Sequence, residues 1–106
     1  MPKYLLQVNY TLAGVKGVLS KGGSARRAAA RAATESVGGT LECMYFAFGS
    51  TDAFAIVDVP DNAAAAALAL TVSGGGGATV DTVVLLTPEE IDAATQAGVK
   101  YTPPGQ

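Results

Sequence analysis

The stretch TLECMYFAFGSTDAFAIVDVP, residues 40–60, contains two apolar runs of strand length separated by a short turn. The turn, Gly49-Ser-Thr-Asp52, consists of residues that favour tight turns. Pro60 ends the second run, because proline cannot donate a hydrogen bond to a neighbouring strand. The spacing therefore predicts a β-hairpin with strands over residues 40–48 and 53–59.

The segment before this hairpin has the pattern of a strand followed by a helix. Apolar and polar residues alternate over residues 3–10, which predicts a strand with one apolar face. Thr11 is a candidate helix cap, Gly22-Gly23 interrupt the helical spacing, and Ser24 caps a stronger helix that ends near residue 37. Its predicted buried stripe consists of Ala25, Ala28, Ala29, Ala32, Ala33 and Val37.

The segment after the hairpin repeats this order. Asp61 or Asn62 caps a helix to about residue 72, the glycine run 74–77 predicts a loop, and residues 78–86 predict a fourth strand. Thr87-Pro-Glu-Glu90 has the form of a capping box and begins a short helix that ends near Gly98, before an extended tail. The whole chain, residues 1–106, is thus predicted to be one α+β domain with ferredoxin-like βαββαβ topology, a four-stranded antiparallel sheet and an extra C-terminal helix.

The composition excludes several classes of function. The 106 residues include no histidine and one cysteine, which rules out a Ser-His-Asp triad, a histidine-ligated metal and an internal disulfide. Seven basic against nine acidic residues give no electrostatic reason to expect nucleic-acid binding. No apolar run reaches the ~20 residues of a membrane helix, and no signal-peptide pattern is present. We therefore expect a cytoplasmic protein without metal or cofactor.

Strand alternation predicts which side chains share each face of the sheet. The smaller side chains are expected under the alanine-rich helices: Leu41, Cys43, Ala47, Ala53, Ala55 and Val57. The open face is then expected to hold all three phenylalanines, Phe46, Phe48 and Phe54, with Met44 and Ile56. Because an apolar patch of this kind usually marks an interface, we predict a homodimer packed sheet to sheet, or a larger assembly of such dimers. A single β-bulge would invert part of this assignment.

The polar residues of the same face suggest a candidate site. Gln7, Asn9, Glu42 and Asp58 would stand among the phenylalanines, where a ligand pocket needs a few placed polar groups. Glu42 or Asp58 could then act as a general base, and Gln7 or Asn9 could orient a substrate oxygen. The alternative is that these residues form hydrogen bonds at the sheet edge or across a dimer.

Two further groups have both a structural and a functional interpretation. Asp52 either closes the hairpin turn through backbone hydrogen bonds or belongs to the site. Ser24 and Arg26, with Arg27, either begin a helix or bind an anion at its N-terminus.

The chain resembles the GYD-domain family along essentially its whole length. The resemblance rests on YFAFGSTD (45–52), VDVPDN (57–62), GGSARR (22–27), LLTPEE (85–90) and YTPPG (101–105), which occur in the family's order. It implies a small bacterial protein related to the dimeric α+β barrel proteins, largely without assigned activity. Gly49 and Asp52 match the residues that name the family, whereas Thr51 stands where a tyrosine is expected, which favours a structural role for the turn.

Three functions are compatible with these features. The first is an oligomeric module that binds a small ligand or serves as a scaffold, without catalysis. The second, by analogy with other dimeric α+β barrels, is a cofactor-independent monooxygenase, isomerase or decarboxylase for a small apolar or aromatic substrate. The third is a sensor that binds a phosphorylated metabolite through Arg26 and Arg27.

Overall fold

The computed structural model describes residues 1–106 and centres on a four-stranded antiparallel sheet. Its elements are β1 (Lys3–Tyr10), α1 (Leu12–Ser36), β2 (Thr40–Phe46), β3 (Ala53–Asp58), α2 (Asn62–Gly74), β4 (Ala78–Leu85) and α3 (Pro88–Thr95). The strand order is β2-β3-β1-β4, and β1 pairs with both β3 and β4. Helices α1 and α2 pack on the same face of the sheet. The predicted α+β, ferredoxin-like topology with an extra C-terminal helix is confirmed.

A β-bulge in β2 changes the predicted assignment of side chains to faces. Leu41 pairs with Val57 and Cys43 pairs with the next residue of β3, Ile56, so that Glu42 is an extra residue in β2. Beyond the bulge, every side chain of β2 lies on the face opposite to the predicted one. Cys43 is on the open face, whereas Met44 packs against the core under the helices.

The prediction that all three phenylalanines share the open face is therefore wrong. Phe46 lies on the helix side, where its ring stacks on that of Tyr10 with centroids 6.3 Å apart. A Cβ atom at Gly23 of α1 would be only 3.1 Å from the Phe46 ring, so the ring packs directly against the helix backbone. Phe48 follows the end of β2 and is fully exposed, which leaves Phe54 as the one phenylalanine on the open face.

The core lies between the sheet and the two helices. Its largest buried side chains are Tyr4, Leu41, Val57, Val59 and Leu68. The Tyr4 hydroxyl donates a hydrogen bond to the side-chain oxygen of Asn62 at the start of α2. This bond satisfies the only polar atom of a buried tyrosine and links β1 to α2.

The buried stripe of α1 is displaced from the predicted one. Ala30, Ala33 and Val37 pack against the core and Thr34 is buried, whereas the predicted members Ala25, Ala28, Ala29 and Ala32 are exposed. Arg27, Arg31 and Glu35 lie on the exposed side. The prediction failed because alanines occupy several neighbouring faces of α1, so the sequence does not show which of these faces meets the sheet.

Three of the four predicted helix starts have the predicted cap; the exception is Ser24, which lies within α1 just after its kink at Gly22. The side chain of Thr11 accepts a hydrogen bond from Gly14 N at the start of α1, and Asp61 accepts one from Ala64 N at the start of α2. At α3, Thr87 and Glu90 form both bonds of a capping box, at 3.1 and 3.0 Å. The interruption predicted near Gly22 is a kink within α1, where this glycine has φ +82°.

The first turn of α1 is in close contact with the loop that precedes β4. The backbone N–H of Thr11 donates to Gly77 O at 3.0 Å, and its hydroxyl donates to Gly76 O at 2.8 Å. A Cβ atom at Gly14 would collide with the same Gly77 carbonyl, so only glycine allows this approach. The glycine-rich loop is therefore held against α1 at one end.

The C-terminal segment extends from the rest of the domain. Every residue from Leu86 to Gln106, including all of α3, is exposed. The radius of gyration of the chain is 16.9 Å, against about 13 Å for a compact domain of this length. The core is therefore complete without α3 and the tail.

Candidate functional site

An apolar cavity of about 260 Å³ lies inside the domain, between the sheet and helices α1 and α2. The wall from the sheet includes Leu6, Val8, Met44 and Val80, and the wall from the helices includes Ala30, Ala33, Leu68, Ala69 and Val72. Fifteen of its seventeen lining residues are hydrophobic, and the two others are Thr34 and Arg26. The Thr34 hydroxyl donates to Ala30 O at 2.8 Å, so it is already satisfied within α1. Arg26 is thus the only charged group of the lining.

Alanine is the physical reason for this cavity. Ala29, Ala30 and Ala33 of α1, Ala69 of α2 and Ala55 of β3 line it, where larger side chains would fill the space. The volume of about 260 Å³ exceeds the ~150 Å³ of an engineered apolar cavity that binds benzene, so this cavity has room for a small apolar molecule.

A wider cleft of about 570 Å³ adjoins the cavity at one end of the sheet. Tyr10, Arg26, Ala29, Val72 and Ala78 line both spaces, so the cleft is the mouth of the cavity. The rest of its lining comes from the first half of α1, including Lys21, and from the glycine-rich loop before β4. The mouth therefore contains two basic side chains, and no carboxylate lines either space.

The residues predicted from sequence as a site lie elsewhere, on the open face of the sheet. Strand pairing places Gln7 opposite Phe54 and Asp81, and Asn9 opposite Thr79. These positions share a face with Asp58, and they are on the other side of the sheet from the cavity. A ligand-binding role for Gln7, Asn9 and Phe54 stays a prediction.

The two carboxylates predicted as general bases both contact Lys3. The Lys3 ammonium lies 3.3 Å from Glu42 Oε2 and 3.0 Å from the carboxylate of Asp58. The hydrogen bond to Asp58, followed by that to Glu42, raises the pKa of Lys3 above its ordinary value. The arrangement is an ion-paired cluster at the end of β1 and β3, partly open to solvent. Its geometry fits the edge hydrogen-bonding alternative.

Asp52 joins the hairpin turn to the first strand. Its carboxylate accepts a hydrogen bond from Tyr10 N at 2.9 Å, and its backbone N–H donates to Val8 O at 3.0 Å. Both bonds hold the end of β1, beside the cavity mouth, where Tyr10 is part of the lining. The turn interpretation of Asp52 therefore has a specific structural basis, because its carboxylate binds the backbone of Tyr10.

The predicted anion cradle is split by the helix. Ser24 and Arg27 line a shallow recess with Phe46, whereas Arg26 lines the cavity and its mouth. Consecutive residues of a helix point about 100° apart, so Arg26 and Arg27 face different surroundings. Only Arg26, of the predicted site residues, lines the cavity.

The sequence did not predict the cavity, because the site was expected among the large apolar residues of the open face, on the opposite side of the sheet. The available signal was the number of alanines on elements that face each other: two helices and β3. Small side chains on both layers leave space between them unless the layers approach.

The fold and this cavity define a class: an α+β protein of ferredoxin-like topology with an apolar cavity between its sheet and its helices. The family model for the GYD domain matches residues 4–95, which covers most of the 106-residue chain. The chain belongs to the GYD-domain family. No curated protein and no solved structure matches it.

Two further findings concern the surroundings of the protein. None of the helices combines the length and the hydropathy needed to cross a membrane. No three side chains of Cys, Asp or Glu are grouped so that they could hold a metal ion.

Proposed function

We propose that this GYD-domain protein is a small-ligand-binding module whose site is the apolar cavity between sheet and helices. The carrying observation is the cavity itself, about 260 Å³ lined almost entirely by apolar side chains. Ligand sites are typically concave and apolar, with few polar groups that fix orientation. The adjoining cleft supplies an entrance with polar groups at one end.

The enzyme alternative has weaker support from the same geometry. A cofactor-independent monooxygenase, isomerase or decarboxylase needs a group that moves a proton within reach of the bound substrate. The titratable groups of the cavity lining are Tyr10 and Arg26, and no carboxylate is among them. Glu42 and Asp58 contact Lys3 on the other side of the sheet. Binding without catalysis is therefore the function that the residues favour.

Self-association through the open face is the second part of the proposal. No helix covers this face, and Leu5, Ile56, Val83 and Leu85 lie on it at adjacent register positions with Phe54. Burying such side chains against a second copy would remove apolar surface from water at ~25 cal/mol per Å². Packing sheet to sheet would make a homodimer of the dimeric α+β barrel type.

A neutral apolar probe tests the binding function. Naphthalene, titrated into the full chain and detected by its own fluorescence, is expected to bind at one site per chain. Ala30→Leu places a larger side chain in the cavity wall and should weaken binding, whereas Ala32→Leu, on the exposed side of α1, should not. Absence of saturable binding to the folded wild-type protein would refute the proposed function.

A further inference from the structure

The charged residues at the cavity mouth indicate the chemical class of the ligand. Arg26 is half-buried on α1 and lines both the apolar cavity and the cleft that leads to it. Its guanidinium has no carboxylate partner, because both ion pairs of the protein are made by Lys3. Because Arg26 has no carboxylate partner within the protein, it is free to pair with an anionic group at the mouth.

The residues around Arg26 add a second positive charge to the mouth and no negative charge. Lys21 lies five residues before Arg26 on α1 and lines the same cleft. The protein as a whole has more acidic than basic residues, yet neither the cleft nor the cavity has an acidic lining residue. The positive charge is therefore local to the mouth, on a surface that otherwise leans negative.

The cavity and the cleft also differ in polarity, because the inner space is apolar and the outer one is more polar and more highly charged. The inner cavity is apolar, with its one free charged group at the Arg26 end, whereas the outer cleft includes Lys21 and glycine backbone. A bare inorganic anion would leave the inner cavity unfilled, and a neutral hydrocarbon would leave Arg26 unpaired. A molecule with an apolar body and one anionic end satisfies both.

We propose that the ligand is a small amphipathic monocarboxylate, whose apolar body fills the cavity and whose carboxylate pairs with Arg26 at the mouth. The inference rests on the proposed binding function and adds the chemical class of the ligand. A planar guanidinium presents parallel N–H groups that match the two oxygens of a carboxylate. Lys21 contributes to attraction at the entrance without contacting the apolar body.

The test compares two probes that differ in charge. 3-Phenylpropionate is ionised at pH 7.5, and 3-phenylpropanamide has the same body with a neutral end; calorimetric titration gives the affinity of each for the full chain. Wild type should prefer the acid by about ten- to hundredfold, the range for a hydrogen bond between charged groups. Arg26→Gln should remove this preference, so that acid and amide bind with equal affinity, and Arg27→Gln, which faces another recess, should keep the preference.

The outcomes separate this inference from the function on which it rests. Equal affinities for acid and amide in wild type, or a preference that survives Arg26→Gln, would overturn the carboxylate assignment and leave the binding function standing. If inorganic phosphate raised the melting temperature as much as 3-phenylpropionate did, the apolar body would be irrelevant and the inference would be wrong. Failure of naphthalene to bind the folded wild-type protein would refute the binding function as well.

Discussion

Filling the cavity from α1 should make the protein more stable, the reverse of the usual effect of a core substitution. Ala30 is half-buried, packs against the core and lines the cavity at a helix-interior position. Ala30→Leu adds three carbon atoms, worth about 2.4 kcal/mol at ~0.8 kcal/mol for each buried CH₂. For a domain of this size, each kcal/mol corresponds to ~4–8 °C in melting temperature. The expected increase is therefore ~10–20 °C if all three carbons become fully buried.

Ala32→Leu is the matched control, because Ala32 is exposed on the same helix and lines none of the principal recesses. Leucine has nearly the same helix propensity as alanine, so the difference between the two variants isolates cavity filling. Urea unfolding followed by circular dichroism gives both free energies of unfolding. If Ala30→Leu were less stable than Ala32→Leu by 1 kcal/mol or more, the site would be already packed, since overpacking costs ~1–3 kcal/mol. The cavity and the binding function would then lose their basis.

Three other predictions concern the backbone, the open face and the ion pair. Gly14→Ala should lower the free energy of unfolding by about 1–3 kcal/mol, because its methyl group overlaps the loop backbone before β4; Gly17→Ala, which has open space, should raise it by up to ~1 kcal/mol, and equal effects in urea unfolding would contradict the close contact. Ile56→Glu should convert a dimer to a monomer in light scattering at micromolar concentration, whereas Leu70→Glu, at an exposed position of α2, should not. A monomeric wild type would exclude the sheet-to-sheet dimer. Because the pKa of Lys3 is raised in the folded state, its stabilising effect is complete below pH ~10.4, the value of an unfolded lysine, and declines as pH rises through the folded pKa. The stability difference between wild type and Lys3→Met should therefore be constant from pH 7 to about 10.4 and shrink above that pH. A difference that shrank near pH 8 would assign it to another group.

The topology was predictable because each element has its own local signal. Alternation gives β1, the capping box gives α3, and the turn chemistry around residues 49–52 gives the β2–β3 hairpin. Each of these signals depends only on neighbours in the chain. They are therefore legible in the sequence before any tertiary contact is considered.

The cavity was not predictable in the same way, because it depends on which helix face meets the sheet. Ala28 and Ala30 have identical side chains, yet one is exposed and the other packs against the core. The location of Arg26 at the mouth follows from that same rotation of α1. Only the packed structure, where the stripe containing Ala30 and Thr34 turns inward, distinguishes the two arrangements.

The extra residue at Glu42 changes which positions of β2 face the helices. Beyond Glu42 the alternation of side chains between the two faces is reversed. Met44 and Phe46 therefore lie on the helix side of the sheet, and Tyr45 lies on the open face. A relative with one residue fewer at this point would have nearly the same β2 sequence with the two faces exchanged. The counterpart of Tyr45 would then be directed at α1, and the counterpart of Phe46 would be in solvent. When family members are aligned, the position of a gap in β2 therefore determines whether aligned residues lie on the same face of the sheet.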